Sequence, residues 1–223
     1  MIRSSDASIY LSSSPCARLE FTLEFGGILL HSVLVSSQEL LNQQHETFDL
    51  QPHLVGDLLE VRPLRPEDWE SLFAVASDPL IWEQHPAHDR YKEEVFKEFF
   101  REALESGGAF VVIDRKTEKI IGSSRYFGFA PKRREIEIGW TFLARSHWGG
   151  KYNGELKRLM LDHAFKFVES VVFLIGPTNV RSQKAVEKIG GVMTERRGKT
   201  NLHGKTVEHV VYQIKKPTIT AST

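Results

Sequence analysis

Cysteine is almost missing from this chain: Cys16 is the only one among 223 residues. One thiol excludes an intrachain disulfide. It also lies outside the segment that reads as the core domain, so a cysteine nucleophile has no candidate there. Charge of one sign is lacking too. Lys plus Arg and Asp plus Glu are each 29, giving zero net charge. That balance removes broad electrostatic attraction to nucleic acid. No apolar run approaches the ~18 residues a membrane-spanning helix needs, so no membrane association is expected. The start does not read as a secretory signal, because Asp6 and Ser12-Ser13-Ser14-Pro15 interrupt it before any apolar core. A cytoplasmic protein is the expectation. A Ser-rich opening with Arg3 and Arg18 keeps a mitochondrial presequence as the alternative.

What is present is ordinary for a folded domain: 41% hydrophobic and 26% charged residues. Residues 1–46 read as an N-terminal extension, 47–216 as the domain and 217–223 as a flexible tail. In the extension, Leu19, Phe21, Leu23 and Phe25 alternate as a strand does, and Ile28 to Val35 fits a strand or a short helix. Leu58 to Leu64 is the first strand of the domain. Pro66 opens a helix whose face is Trp69, Leu72, Phe73 and Ala76, stopped by Asp78-Pro79. Tyr91, Val95, Phe96, Phe99, Ala103 and Leu104 recur at helical spacing up to Gly107. Their aromatic stripe reads as core.

Strands follow at 110–113, 120–127 and 135–142. Strict alternation in the last puts Ile136, Ile138, Trp140 and Phe142 on one face and Glu135, Glu137, Gly139 and Thr141 on the other. A helix over about 150–169 buries Tyr152, Leu156, Leu159, Met160, His163 and Phe167, with His163 a core histidine. Val171 to Ile175 is a short, fully buried strand. Asn179 caps a helix that ends at Gly190-Gly191. Val192–Arg197 and Val207–Ile214 form a hairpin.

The centre of this order is strand, glycine-containing loop, helix, strand, helix. A helix start offers unpaired N–H groups and a positive dipole end, which suits a phosphate-bearing ligand. A glutamate on the preceding strand can handle a proton beside it. Three motifs carry the pattern: Glu137-Ile138-Gly139-Trp140, Trp148-Gly149-Gly150-Lys151-Tyr152, and Asn179-x-x-Ser182 running on to Glu187-Lys188-Ile189-Gly190.

With these motifs the chain resembles the GNAT superfamily of N-acyltransferases. It is most similar to the Rim-type branch, which acetylates protein N-termini. The resemblance covers about residues 48–215. It implies an α/β fold with a central, mostly antiparallel twisted sheet flanked by helices. The strands carrying 135–142 and 171–175 would run parallel and splay apart to admit the pantetheine arm of acetyl-CoA. The helix after the first of them would receive the pyrophosphate. Phe142, Leu143, Trp148, Gly149, Gly150, Lys151, Tyr152, Asn153, Asn179 and Ser182 are then the cofactor-binding positions. The Leu143 N–H would polarise the thioester carbonyl, and the Asn179 amide would meet the pantetheine.

The family's phosphate loop has an Arg or Gln, then a Gly and a Gly or Ala at fixed spacing. Trp148, Lys151 and Asn153 occupy those places here, with Gly149, Gly150 and Gly154 nearby. A general-acid tyrosine of many relatives is replaced by Val186.

The chemistry expected is acetyl transfer to a primary amine, a protein N-terminus or a small molecule, by direct attack in a ternary complex. Glu137 is the first candidate base and Glu135 the second, with solvation or pairing to Arg133 or Arg134 as the plain alternative. Ser182 is the candidate contact for the leaving thiolate, and His147 reads as a surface residue beside the loop. Trp82, His85 and Tyr91, around the loop between the first two helices, would shape acceptor choice. Two histidines around Pro86 lack a helical metal-ligand spacing, so no metal is expected. Lys132-Arg133-Arg134 reads as a solvated turn, or as a receiver of an acidic acceptor or the 3′-phosphate. The alternative function is a non-catalytic acyl-CoA binding or sensing module. Monomer and homodimer are both compatible with the sequence.

Overall fold

The computed structural model describes residues 20–25, 28–33, 47–202 and 205–218. The chain divides into two units, Met1–Glu46 and Thr47–Thr223. In the first, β1 (Glu20–Phe25) and β2 (Ile28–Val33) pair as an antiparallel hairpin. The presequence reading and the end of the tail lie outside the described residues.

The second unit is built on an eight-stranded sheet of order β3-β4-β5-β6-β7-β8-β10-β9. Its strands are β3 (Leu54–Val55), β4 (Leu59–Pro63), β5 (Ala109–Asp114), β6 (Lys119–Ala130), β7 (Glu135–Leu143), β8 (Ser170–Ile175), β9 (Val192–Leu202) and β10 (Lys205–Lys215). Every neighbouring pair is antiparallel except β7 and β8, which run parallel. The closing hairpin has longer arms than its sequence suggested, because the polar stretch around Lys199 and Thr200 continues the ladder.

Among the described residues, five α-helices flank the sheet: α1 (Trp69–Ala76), α2 (Pro79–Trp82), α3 (Glu93–Glu105), α4 (Lys151–Ala164) and α5 (Val180–Glu187). Asp78 does more than stop α1. Its side chain accepts the Leu80 N–H and caps α2, with Pro79 in the first turn. Helix α4 ends before the expected Glu169, and a turn after Ala164 lets Phe167 fold back against Phe48 and His163. His163 is a satisfied core histidine, with Nε2 2.8 Å from the Asp49 carbonyl.

Two cores hold the layers together. Leu156 and Met160 of α4 pack with Ile136, Ile138, Val171 and Phe173 on one face of the sheet. Leu72 of α1 and Phe96, Phe99 and Phe100 of α3 pack with Phe142 on the other. Full burial of a side chain such as Phe96 contributes about 2–3 kcal/mol.

The expected alternation of β7 fails at one point. Ser123 stands opposite Phe142 and Arg125 opposite Gly139, so Trp140 and Thr141 together face Ser124. This is a β-bulge, and Trp140 takes the left-handed conformation there, at φ 50°. The extra residue reverses the faces beyond it. Thr141 therefore meets α4, while Phe142 joins Glu137 and Gly139 on the α1/α3 side.

Candidate active site

The parallel pair is short. Rungs join Glu135 to Ser170, Ile136 to Val171 and Glu137 to Val172, and pairing ends there. Beyond it the strands part, leaving a narrow cleft of about 140 Å³. Ile138, Gly139 and Thr141 line one wall, and Phe173, Leu174 and Ile175 the other. The bulge at Trp140 lies where β7 would otherwise have continued the ladder. Ala144 gives its N–H to Ile121 O on the β6 side. Strand alternation then turns the Leu143 N–H toward the edge from which β8 has withdrawn. The Phe142 and Leu143 side chains are buried in opposite cores, so only their backbone is available to a ligand.

Below the cleft mouth, Gly149 at φ 69° makes the turn into α4, and Gly150 is its N-cap without a side-chain cap. The first-turn N–H groups of α4 are left to an anion. A Cβ at Gly149 or Gly150 would meet nothing within 4 Å, so the loop has open space before it. Trp148 donates through Nε1 to the Leu143 carbonyl at 2.8 Å, and the Arg181 guanidinium covers its ring at 4.1 Å. Lys151 is exposed at the first helical position, and Tyr152 meets the His147 ring edge-on. Asn153 reaches the cleft. The loop thus supplies backbone donors and a cation, as a pyrophosphate needs, despite the displaced glycines.

Asn179 caps α5 by accepting the Ser182 N–H at 3.1 Å, while both residues face the cleft. With Oδ1 taken by the cap, the Asn179 NH₂ is the part left for a ligand.

Glu137 and Glu135 separate sharply. Glu137 lies beside Gly139, where a Cβ would come within 2.9 Å of Glu137 Oε1. Burial raises its carboxyl to about 7, with Arg125 pulling the other way. Glu135 instead takes a bidentate pair from Arg196 at 2.7 and 2.9 Å, which holds its carboxyl below the ordinary value. It sits at the zipped end of the strand pair, so the structure gives it a structural ion pair and no access to the cleft. The Lys132-Arg133-Arg134 turn is at that same closed end, away from the α4 N-terminus. Arg134 pairs with Glu169 there.

Among the expected acceptor residues, Trp82 and His85 line the cleft, but Tyr91 packs into the α1/α3 core. The Trp82 indole is anchored through Nε1 to Ala76 O at 2.7 Å.

One residue escaped the sequence reading. Lys157 of α4 is 4% exposed and lines the cleft. Its Nζ donates to Thr141 Oγ1 at 2.5 Å and approaches Ser124 Oγ at 3.5 Å. Burial alone brings the amine down to about 7. A signal was available: Lys157 stands three residues before Met160 and seven before Ala164, inside the buried stripe of α4.

A sheet parted at its one parallel pair, with a glycine-opened helix at the mouth of the gap, defines an acyltransferase of the acyl-CoA-binding kind. Residues 59–192 match the acetyltransferase (GNAT) domain model, and the chain belongs to that family. The family's reaction is acyl transfer from acetyl-CoA. No curated protein matches the chain. Solved structures share the fold. A GCN5-related N-acetyltransferase from Brucella melitensis is 19% identical with a TM-score of 0.62, over 74% of this chain and 79% of that one. Ribosomal-protein-S5-alanine acetyltransferase from Vibrio fischeri is 21% identical with a TM-score of 0.55, over 74% and 100%. RimJ from Mycobacterium smegmatis, solved with CoA-disulfide, is 18% identical with a TM-score of 0.57, over 76% and 90%.

Proposed function

We propose that this acetyltransferase, its domain spanning about residues 47–216, moves an acetyl group from acetyl-CoA to a primary amine by direct attack. The acceptor is a protein N-terminus, a reading supported by the ribosomal-protein acetyltransferase among the structural neighbours, or a small amine. The observation that carries this reading is the end of β7–β8 pairing at Glu137 and Val172, where the cleft opens next to Glu137, whose carboxyl burial raises to about 7.

Each part of the reaction has a residue. The α4 N-terminus with Gly149, Gly150 and Lys151 holds the pyrophosphate. The Asn179 amide and the parted strand edges hold the pantetheine. The Leu143 N–H points to where the thioester oxygen gains negative charge. Glu137 takes the proton from the ammonium. The amine nitrogen then bonds to the carbonyl carbon and gives up its second proton to solvent as the C–S bond breaks. Lys157 gives a proton to the departing thiolate, a group with a pKa of about 8.5, with Ser182 on the facing wall. Lys157 thereby takes up the task left open by Val186.

Thiol release from acetyl-CoA, measured against pools of amines and peptides, tests the proposal. Release that depends on an added amine and matches acetylated product supports it. Binding of acetyl-CoA without amine-dependent release overturns it.

A further inference from the structure

The wall of the cleft opposite α4 holds more positive charge than the reaction uses. The segment after α2 is fixed in place: Arg181 donates through Nη2 to Ile81 O at 2.7 Å and through its backbone N–H to Gln84 Oε1 at 3.1 Å. Pro86 presses on the end of β8, where its Cγ would lie 2.8 Å from a Cβ at Gly176. This pinned loop brings His85 and Arg90 to the cleft.

The hydrogen bonding there is incomplete. The Ala87 N–H donates to His85 Nδ1 at 2.9 Å. A backbone amide can only donate, so Nδ1 carries the lone pair and Nε2 the proton. Burial lowers the His85 pKa to about 3, so the ring is neutral at ordinary pH. Arg90 Nη1 lies 3.3 Å from that same Nε2. A guanidinium has no acceptor either. Two donors therefore face one another with nothing between them to accept.

The charges have carboxylates only at a distance: Glu102 acts on both Arg90 and Arg125, Asp89 on Arg90 and Glu137 on Arg125. Arg90 lies over the Phe99 ring at 4.7 Å, and Arg125 lies over the same ring at 5.6 Å. Burial leads the lowering of both to about 10, no hydrogen bond to a carboxylate offsets it, and Arg125 depresses Arg90 further. Arg125 is 3% exposed, and its Nε and Nη2 are buried without a partner. Buried cations and orphan donors are costly, and such a set is stable in use when an anion completes it.

We infer that the acceptor amine carries an oxyanion close to its amino group, to which His85 donates through Nε2–H and Arg90 through its guanidinium, with Arg125 adding charge behind. Glu137 faces the amino end and Arg90 the anionic end. A carboxylate and a phosphate share this chemistry, since both match the planar fork of Arg. An internal peptide bond does not, so an N-terminus without a nearby acidic group is a poor acceptor. The inference rests on the acetyl-transfer reading above.

The test uses the full chain and matched acceptors: amino acids, their carboxamides, phosphoethanolamine and ethanolamine. Thiol release is followed with acetyl-CoA, and the thermal shift given by each acceptor is measured alongside coenzyme A. Oxyanion-bearing amines are expected to exceed their neutral partners in kcat/KM by at least 10-fold. Their ranking against one another tells carboxylate from phosphate. Arg90→Gln should bring the ratio toward unity through KM, and Arg90→Lys should restore part of it. Equal use of neutral and anionic partners by the unaltered protein overturns the inference and leaves acetyl transfer standing. If no amine releases thiol, the transfer reading fails. The thermal shifts then decide the inference alone: a shift from amino acids and not from their carboxamides supports it, and equal or absent shifts overturn it.

Discussion

Lys157 Nζ and Thr141 Oγ1 lie 2.5 Å apart, joining α4 to the bulged stretch of β7 at the floor of the cleft. The amine is buried, and two neutral hydroxyls are its polar neighbours. An ammonium held only by neutral groups gives up its proton easily, which is what a donor to a leaving thiolate needs.

Lys157→Met should lower kcat by about 10²-fold, within the usual range for a lost general acid. The pH profile gives the sharper readout. Lys157 must be protonated to donate, so activity falls as pH rises through about 7. That alkaline limb should flatten in the variant. Stability moves too. Between about 7 and the ordinary lysine value of 10.5, the unfolded chain holds the proton that the folded one has released, so stability rises with pH there. Urea unfolding should show less of that rise in Lys157→Met.

Glu137→Gln should cut kcat by about 10²–10³-fold while leaving the Kd for acetyl-CoA nearly unchanged. The carboxylate must be unprotonated to accept, so wild-type activity climbs as pH rises through about 7. With Lys157 intact, the two limbs form a bell centred near neutrality, whose apparent values belong to the pair of groups. Loss of the acid limb in Glu137→Gln is the expected signature. Unchanged turnover would remove Glu137 from the chemistry.

Gly139→Ala tests the same carboxylate from the side. The new methyl would lie 2.9 Å from Glu137 Oε1, so the carboxylate must move. Turnover should drop about 10-fold, with the fold and acetyl-CoA affinity retained. Gly149→Val, at φ 69°, should act on the other step, raising the Kd for acetyl-CoA by about 10-fold through backbone strain in the loop.

Glu135→Gln should behave oppositely to Glu137→Gln. It breaks the bidentate contact with Arg196, and Arg196 is half-exposed, so the cost is discounted to about 1–3 kcal/mol. Its folded pKa is lowered, so its stabilisation is present above the ordinary glutamate value of 4.5 and is lost as pH falls below it. Thermal melts at neutral pH should show the deficit, and melts in acid should show it shrinking. Acetyl transfer should continue.

The order of elements was legible because each announces itself by period: helical spacing in α3, alternation in β7 as far as Gly139, a wholly apolar run in β8. Proline and glycine marked most ends. The bulge was not legible. Trp140 carries no mark of a left-handed backbone, and one inserted residue reverses every face after it, so Thr141 and Phe142 lie on the faces opposite to those strict alternation predicts. Lys157 was missed because a lysine on a helix is read as solvated by default. Arg90, Arg125 and His85 converge only through tertiary packing on Phe99 and Trp82, which local pattern does not encode. Glu135 and Glu137 look alike in sequence, and only the point where β7 and β8 separate tells them apart.

Hydrogen exchange on the full chain, with and without acetyl-CoA, tests the parted strands most directly. Residues 138–141 and 173–176 line the cleft and the Leu143 N–H is turned toward it, whereas 135–137 and 170–172 are already joined rung to rung. Acetyl-CoA should slow exchange in the first set, Leu143 among them, together with the start of α4, and leave the second set unchanged. Protection confined to other surfaces, or none along 138–143, would contradict a thioester arm lodged between β7 and β8.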